Sequence, residues 1–100
     1  MIGNVQDQAG RFIARVDVEP TGAVYVGQVL RMSDERTTVD LFVAYDEAVQ
    51  GQMLVSVDAL EKEIERLRPV FVDDTGIRIP IADLQIYPSE MKVSFRRKRT

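Results

Sequence analysis

The chain has 100 residues, 45% of them apolar and 29% charged, a composition typical of one globular domain with its own core. It contains no cysteine and no histidine, which excludes disulfides, thiolate zinc sites and cysteine nucleophiles. Eight basic and sixteen acidic residues precede Lys92, whereas residues 92–100 hold five basic residues and no acid. We therefore expect a single domain, residues 1–100, with an acidic body and a basic C-terminal tail at residues 96–100.

Residues 1–10 are polar and have neither the basic start nor the apolar run of a secretory signal. We expect them to be loosely attached to the domain. The longest uncharged apolar run, residues 41–45, is far too short to span a membrane. The expected location is therefore the cytoplasm, with no membrane contact.

The first half of the chain reads as three strands. Residues 11–18 and 23–32 alternate between apolar and polar side chains, and the segment between them has the proline and glycine of a tight turn. Gly27 inside the second strand indicates a bulge or a bend. Residues 37–45 alternate most regularly and predict a third strand, so that an antiparallel meander results.

The centre of the chain predicts one helix, at residues 58–68. Asp58 can cap it, and an apolar stripe with helical spacing follows from Leu60. Pro69 ends the helix, because the residue before a proline avoids the helical conformation. Before the helix, residues 46–51 fit a helical turn or a loop, and residues 52–57 fit a fourth strand or an extension that leads into the helix.

Short strands follow the helix. Residues 70–72 and 77–81 flank an Asp-Asp-Thr-Gly turn and predict a hairpin, in which Pro80 indicates an edge or a bent strand. Residues 84–86 continue this pattern, and residues 91–95 alternate as a last strand that leads into the basic tail.

The predicted fold class is α+β, mainly antiparallel sheet with one helix packed on it. A small barrel is one interpretation, because closure removes the sheet edges, and the helix then falls between the third and fourth strands as in the oligonucleotide-binding barrel. An open sheet is the other.

Two functional hypotheses of binding type follow, and neither includes a catalytic residue, a metal site or a cofactor. The first is a regulatory protein that binds a protein partner through its acidic surface or through a free sheet edge. The edges at residues 77–81 and 91–95 would also allow a homodimer. The acidic surface is expected at Asp34, Glu35, Asp40, Asp46 and Glu47.

The second hypothesis is a nucleic-acid-binding barrel. Its phosphate contacts would come from the basic tail, and bases would stack on two aromatic rings predicted on the outer faces of neighbouring strands. The residues assigned to this interface are Arg96, Arg97, Lys98, Arg99, Arg31, Tyr25 and Phe42. The adjacent acids of Asp46-Glu47 and Asp73-Asp74 could in principle bind a cation, but turn geometry explains the second pair better.

Overall fold

The computed structural model describes residues 1–99 and contains six strands and two helices. Thr100, the last residue of the predicted tail, lies outside the described residues. In chain order the elements are β1 (Ile2–Gln6), β2 (Phe12–Thr21), β3 (Val24–Met32), α1 (Arg36–Gln50), α2 (Leu54–Arg66), β4 (Val70–Asp73), β5 (Arg78–Tyr87) and β6 (Lys92–Arg97).

The strands form a closed antiparallel barrel in the order β1-β2-β3-β6-β5-β4, and β4 pairs with β1 to complete it. The predicted α+β class is confirmed, and of the two sheet interpretations the barrel is the one observed. The helices connect the third and fourth strands, but the third strand is β3 and not the predicted segment 37–45. The barrel has one strand more than the oligonucleotide-binding barrel, and it has two helices where the sequence predicted one.

The barrel and the helices share a single apolar core. Phe71 on β4 and Phe95 on β6 are at most 1% exposed, and their ring centroids lie 5.5 Å apart. Phe42 and Tyr45 of α1 and Ile64 of α2 belong to the same buried cluster. The helices are therefore part of the core, because their buried side chains close it on one side.

The predicted strand at residues 37–45 is wrong, because these residues lie within α1. The buried side chains of this helix include Phe42, Tyr45 and Ala48, spaced three apart, so one helical face meets the core. β-Branched residues favour strands only weakly, and the packing of this face outweighs that preference. Gly51 follows the helix at its C-terminus, where its N–H donates to the carbonyl oxygen of Glu47 at 2.9 Å.

α2 begins earlier than predicted. Leu54 is its first residue, so residues 54–57 are helical and do not form a strand or an extension before the helix. Gln52, just before them, adopts a left-handed conformation with a φ of 55°. Asp58 therefore lies inside the helix, where it pairs with Lys62 at 3.3 Å instead of capping it. The predicted end is close to the observed one, because Arg68 adopts a left-handed conformation just before Pro69.

The N-terminal segment is not loosely attached. β1 pairs with β2 on one side and with β4 on the other, so it is the strand that closes the barrel. Arg15 reinforces this region: its guanidinium donates to the Asp74 carboxylate at 2.8 and 3.2 Å and to Asn4 Oδ1 at 3.1 Å. These contacts join β1, β2 and the turn between β4 and β5.

The predicted hairpin after the helices is confirmed as β4 and β5. Residues 84–86 continue the strand as predicted, because β5 runs from Arg78 to Tyr87 through a bulge at Asp83, which has a φ of 54°. Barrel closure also contradicts the predicted free edges. β5 pairs with β4 and β6, and β6 pairs with β3 and β5, so neither is the edge strand of an open sheet.

The basic tail is largely part of the barrel. Arg96 and Arg97 belong to β6, and the Lys98 N–H donates to the Pro80 carbonyl oxygen at 2.8 Å. Neither helix is long and apolar enough to cross a membrane, as judged over residues 1–99.

Candidate functional site

A basic groove lies at one end of the barrel, beside the turn between β2 and β3. It has a volume of about 580 Å³ and contains four cationic side chains and one aromatic ring. Its lining residues are Gly22, Ala23, Tyr25, Arg96, Arg97, Lys98 and Arg99. No acidic side chain of residues 1–99 lines it. These residues together form the basic groove.

Strand pairing fixes the backbone beneath the groove. Arg96 is paired across the sheet with Val24, and Arg97 with Ile81. Successive side chains of a strand point to opposite faces, so the two arginines leave β6 on opposite sides. Arg96 forms an ion pair with Asp83. Within the described residues, the other three cations of the groove make no ion pair, which leaves their charge for an anionic ligand.

Tyr25 joins the basic groove to the core. Its ring stacks on Phe95 with the centroids 5.3 Å apart and the planes 14° apart, and Phe95 in turn packs on Phe71. The Tyr25 ring is half-buried and also lines the groove. One face of the ring is therefore covered by the protein, and only the part that borders the groove can meet a ligand.

Two predicted members of the nucleic-acid interface lie elsewhere. Phe42 is fully buried on α1, because residues 37–45 are helical, and its ring cannot stack on a base. Arg31 lies near the other end of β3, over the Phe12 ring with its Cζ 4.6 Å from the centroid. Seven residues of extended chain separate Arg31 from Val24, roughly 23 Å. The predicted platform of Tyr25 beside Phe42 does not exist.

Four of the five carboxylates of the predicted acidic surface are exposed, and one is buried. Asp34 and Glu35 are exposed in the connection before α1, and Asp40 on α1 pairs with Arg36 at 3.8 Å. Glu47 is exposed further along α1, but Asp46 is only 4% exposed. Asp46 is therefore not available to a partner.

Asp46 has a structural role. Its carboxylate accepts a hydrogen bond from the Ser89 N–H at 2.8 Å and one from Gln50 Nε2 at 3.4 Å. Burial acts to raise the pKa of Asp46, but the hydrogen bonds from Ser89 and Gln50 outweigh it and hold that pKa below its usual value. The carboxylate thus fastens α1 to the turn between β5 and β6.

The other acid pair also serves the fold. The Thr75 hydroxyl and the N–H groups of Thr75 and Ile77 donate to Asp73 Oδ1, and they lower the pKa of Asp73. Asp74 is bound by Arg15. Among residues 1–99, no group of three or more acidic side chains is arranged to hold a metal ion.

A second depression lies between α2 and the barrel, and the sequence did not predict it. Two compartments of about 260 and 430 Å³ share Ile64, Glu65, Asp83 and Leu84. The name helix–barrel cleft is used below for the two together. The spacing of Glu61 and Glu65 beside the apolar stripe was the available sequence signal. Nothing in the sequence marked Asp83, because its position depends on a bulge.

An exposed apolar turn joins the two helices. Met53, Leu54 and Val55 are 50%, 78% and 87% exposed, which is unusual for three consecutive large apolar residues. Met53 immediately precedes α2, Leu54 and Val55 are its first two residues, and none of the three side chains belongs to the buried core. The sequence interpretation placed them in a strand or a linking segment and therefore gave no reason to single them out.

Comparison with protein-family models, with curated protein sequences and with solved structures gives no significant match.

Proposed function

We propose that this protein is a non-enzymatic binding protein that holds an anionic chain, a single-stranded nucleic acid, in the basic groove. The observation that carries the proposal is the concentration of Arg96, Arg97, Lys98 and Arg99 around one groove that no described acid lines. Each cation that neutralises a phosphate releases a counterion, which supplies affinity without sequence recognition. The stacked rings beneath Tyr25 provide a rigid apolar floor.

A single strand fits this surface better than a duplex. The groove is confined to one end of the barrel, and residues 1–91 carry a net charge of −8. A duplex is a stiff rod with a high charge density, so it would bring phosphates close to the acidic body as well as to the groove. A flexible single strand can enter the groove with a few nucleotides and direct the remainder away.

The test is fluorescence anisotropy with labelled single-stranded DNA, RNA and duplex DNA across a salt titration. The double substitution Arg97→Gln and Lys98→Gln removes two groove charges that are exposed and without ion pairs in the described structure. We expect the slope of log affinity against log salt to fall by about 1.4, the value for two phosphate contacts on a single strand.

The matched control is the pair Arg36→Gln and Arg78→Gln. It changes the net charge equally, and both residues are exposed and lie outside the groove. This control should keep the salt slope of the unsubstituted protein. An equal loss in both double variants would show that only total charge matters and would reject the groove. Absence of binding at low salt would reject the function itself.

The second candidate is a regulatory protein that binds a protein partner, now through the exposed turn at Met53, Leu54 and Val55. The observation that favours it is the exposure of these three side chains, with the carboxylate of Glu47 on the last turns of the neighbouring α1. Such a surface suits a partner with an apolar pocket and a basic rim. If no nucleic acid binds, Leu54→Ser and Val55→Ser are the substitutions with which to map this alternative.

A further inference from the structure

The helix–barrel cleft combines an apolar floor with a charged rim. Ile64 of α2, Leu84 of β5 and Phe95 of β6 line its first compartment and are 2%, 4% and 1% exposed. Ile81, which is 3% exposed, extends this floor into the second compartment. Apolar walls with a few convergent polar groups, and a volume of several hundred Å³, are typical of sites for small molecules.

The rim of the first compartment carries an excess of two negative charges. Glu61 and Glu65 lie one helical turn apart on α2, and Asp83 projects from the bulge of β5, whereas Arg96 is the one described cation beside them. Arg96 pairs with Asp83, and neither Glu61 nor Glu65 makes an ion pair within residues 1–99.

The outer face of α2 differs from the face that lines the cleft, because its acidic and basic side chains form ion pairs with each other. There the charges neutralise one another, because Lys62 pairs with Asp58 and Arg66 pairs with Glu63. The cations of α2 are thus engaged away from the cleft. The second compartment adds Arg68 and Lys98 beside Glu65 and Asp83, so the excess of negative charge is confined to the first compartment.

Tyr45 lies in the same compartment as these acids. It is 2% exposed and lines the first compartment. Burial raises the pKa of Tyr45, and the Tyr87 hydroxyl and the negative charges of Glu61 and Asp83 raise it further. Carboxylates on α2 and on β5 therefore act on the same hydroxyl, which stays protonated and able to donate or accept a hydrogen bond.

We propose that the first compartment of the helix–barrel cleft binds a small organic cation, a primary amine with an apolar body. The ammonium group would lie beside Glu61, Glu65 and the Tyr45 hydroxyl, and the apolar body would lie on Ile64 and Leu84. A primary ammonium group has three N–H donors, and these oxygens can accept hydrogen bonds from them. The excess negative charge disfavours an anion in the same compartment. Arg96 borders both this compartment and the basic groove, but the carboxylates that would bind the amine do not line the groove, so the proposal does not rest on nucleic-acid binding.

The experiment is an NMR titration of the isotope-labelled full chain with phenethylamine, with phenethyl alcohol as the neutral analogue of the same shape. We expect saturable shifts for the amides of residues 61–65 and 83–85 with the amine, and binding of the alcohol about tenfold weaker or worse, because it lacks the charge. Affinity for the amine should fall as salt is added.

Two substitutions test the carboxylates without endangering the fold. Glu61→Gln is on an exposed helix surface, and Asp83→Asn keeps a residue type that tolerates the left-handed conformation. Each should weaken amine binding about fivefold to tenfold. Glu63→Gln, on the same helix but outside the cleft, is the control and should bind as the unsubstituted chain does.

Equal affinity for the amine and the alcohol would overturn the proposal, since the cleft would then recognise only apolar shape. Equal weakening by Glu63→Gln would also overturn it, because the net charge of the protein would be responsible. Shifts that never saturate, or that lie outside the cleft, would show that no such site exists.

Discussion

Gly27 determines how closely β2 and β3 can approach each other. It is paired with Val18 on one side and with Val93 on the other, in the middle of β3. A Cβ atom at this position would overlap the Asp17 carbonyl oxygen and come within 2.7 Å of the Val18 Cα. These are backbone atoms of a paired strand, so a side chain here requires the two strands to separate.

Gly27→Ala should therefore destabilise the protein by about 2–3 kcal/mol, the range for overpacking that the backbone must absorb. The measurement is chemical denaturation followed by circular dichroism. Gly51→Ala is the control, because its φ is −84° and the nearest contact of the new methyl group would be 3.2 Å. Equal effects of the two substitutions would contradict the close approach of β2 and β3.

At the scale of single residues, five of the seven residues predicted for the nucleic-acid interface line the basic groove, and two do not. Arg96 to Arg99 were identified from their charge, and Tyr25 does lie beside them. Phe42 and Arg31 were assigned to the same interface because residues 37–45 were read as a strand next to β3. Because that segment is helical, Phe42 lies in the core and is not beside Tyr25.

Asp46 connects two elements that are distant in sequence. It lies on α1, and its carboxylate accepts the N–H of Ser89 in the turn between β5 and β6. In the unfolded chain Asp46 has no such donor and binds a proton at a higher pH than in the folded protein. Its contribution to stability is therefore present above pH about 4 and is lost as the pH falls through the lower folded pKa.

Asp46→Asn should lower the free energy of unfolding at neutral pH by about 1 kcal/mol, because the hydrogen bond from Ser89 loses its charged acceptor. The difference from the unsubstituted protein should shrink below pH about 4, where the carboxyl group protonates. Urea denaturation across this pH range measures it.

Asp40→Asn is the control for this measurement. Asp40 is on the same helix, is 67% exposed and pairs with Arg36 at only 3.8 Å. Exposed pairs of this kind contribute little, so a change of at most a few tenths of a kcal/mol is expected. A difference between Asp46→Asn and the unsubstituted protein that did not depend on pH would contradict the carboxylate's role.

At the scale of elements, the prediction was best where turn chemistry is local. The turn between β4 and β5 was predicted because Asp73 and Gly76 are residue types that such turns favour. The end of α2 was predicted because the residue before Pro69 avoids the helical conformation. α1 was missed because the alternation from Thr37 to Tyr45 fits a strand. The spacing of Phe42, Tyr45 and Ala48 and the stop at Gly51 were the competing helical signal.

For the whole molecule, β1 is the element on which closure depends. It pairs with β2 through five residues and with β4 through four, and Val5 is fully buried. Without β1, the strands that pair with it, β2 and β4, would each present an unpaired edge. The polar composition of residues 1–10 gives little sign of this role, because Val5 is the side chain that β1 contributes to the buried core.

A chain that lacks residues 1–6 should lose the cooperative thermal transition and should tend to aggregate through the exposed edges of β2 and β4. Addition of a synthetic peptide of residues 1–8 should restore the transition. The same peptide with Val5→Asp should not, because a buried carboxylate would replace a fully buried side chain. Retention of an unchanged melting temperature by the shortened chain would contradict this account.

The sequence by itself determined the α+β class, the hairpins, the end of α2 and the separation of an acidic body from a basic C-terminal segment. These depend on local chemistry: alternation, turn residues, proline and the order of charges along the chain. Only the tertiary structure decided that the sheet closes, that residues 37–45 are helical and that Glu61, Glu65 and Asp83 surround one cleft. The physical reason is that burial and strand pairing act between residues far apart in sequence, where they outweigh weak local preferences.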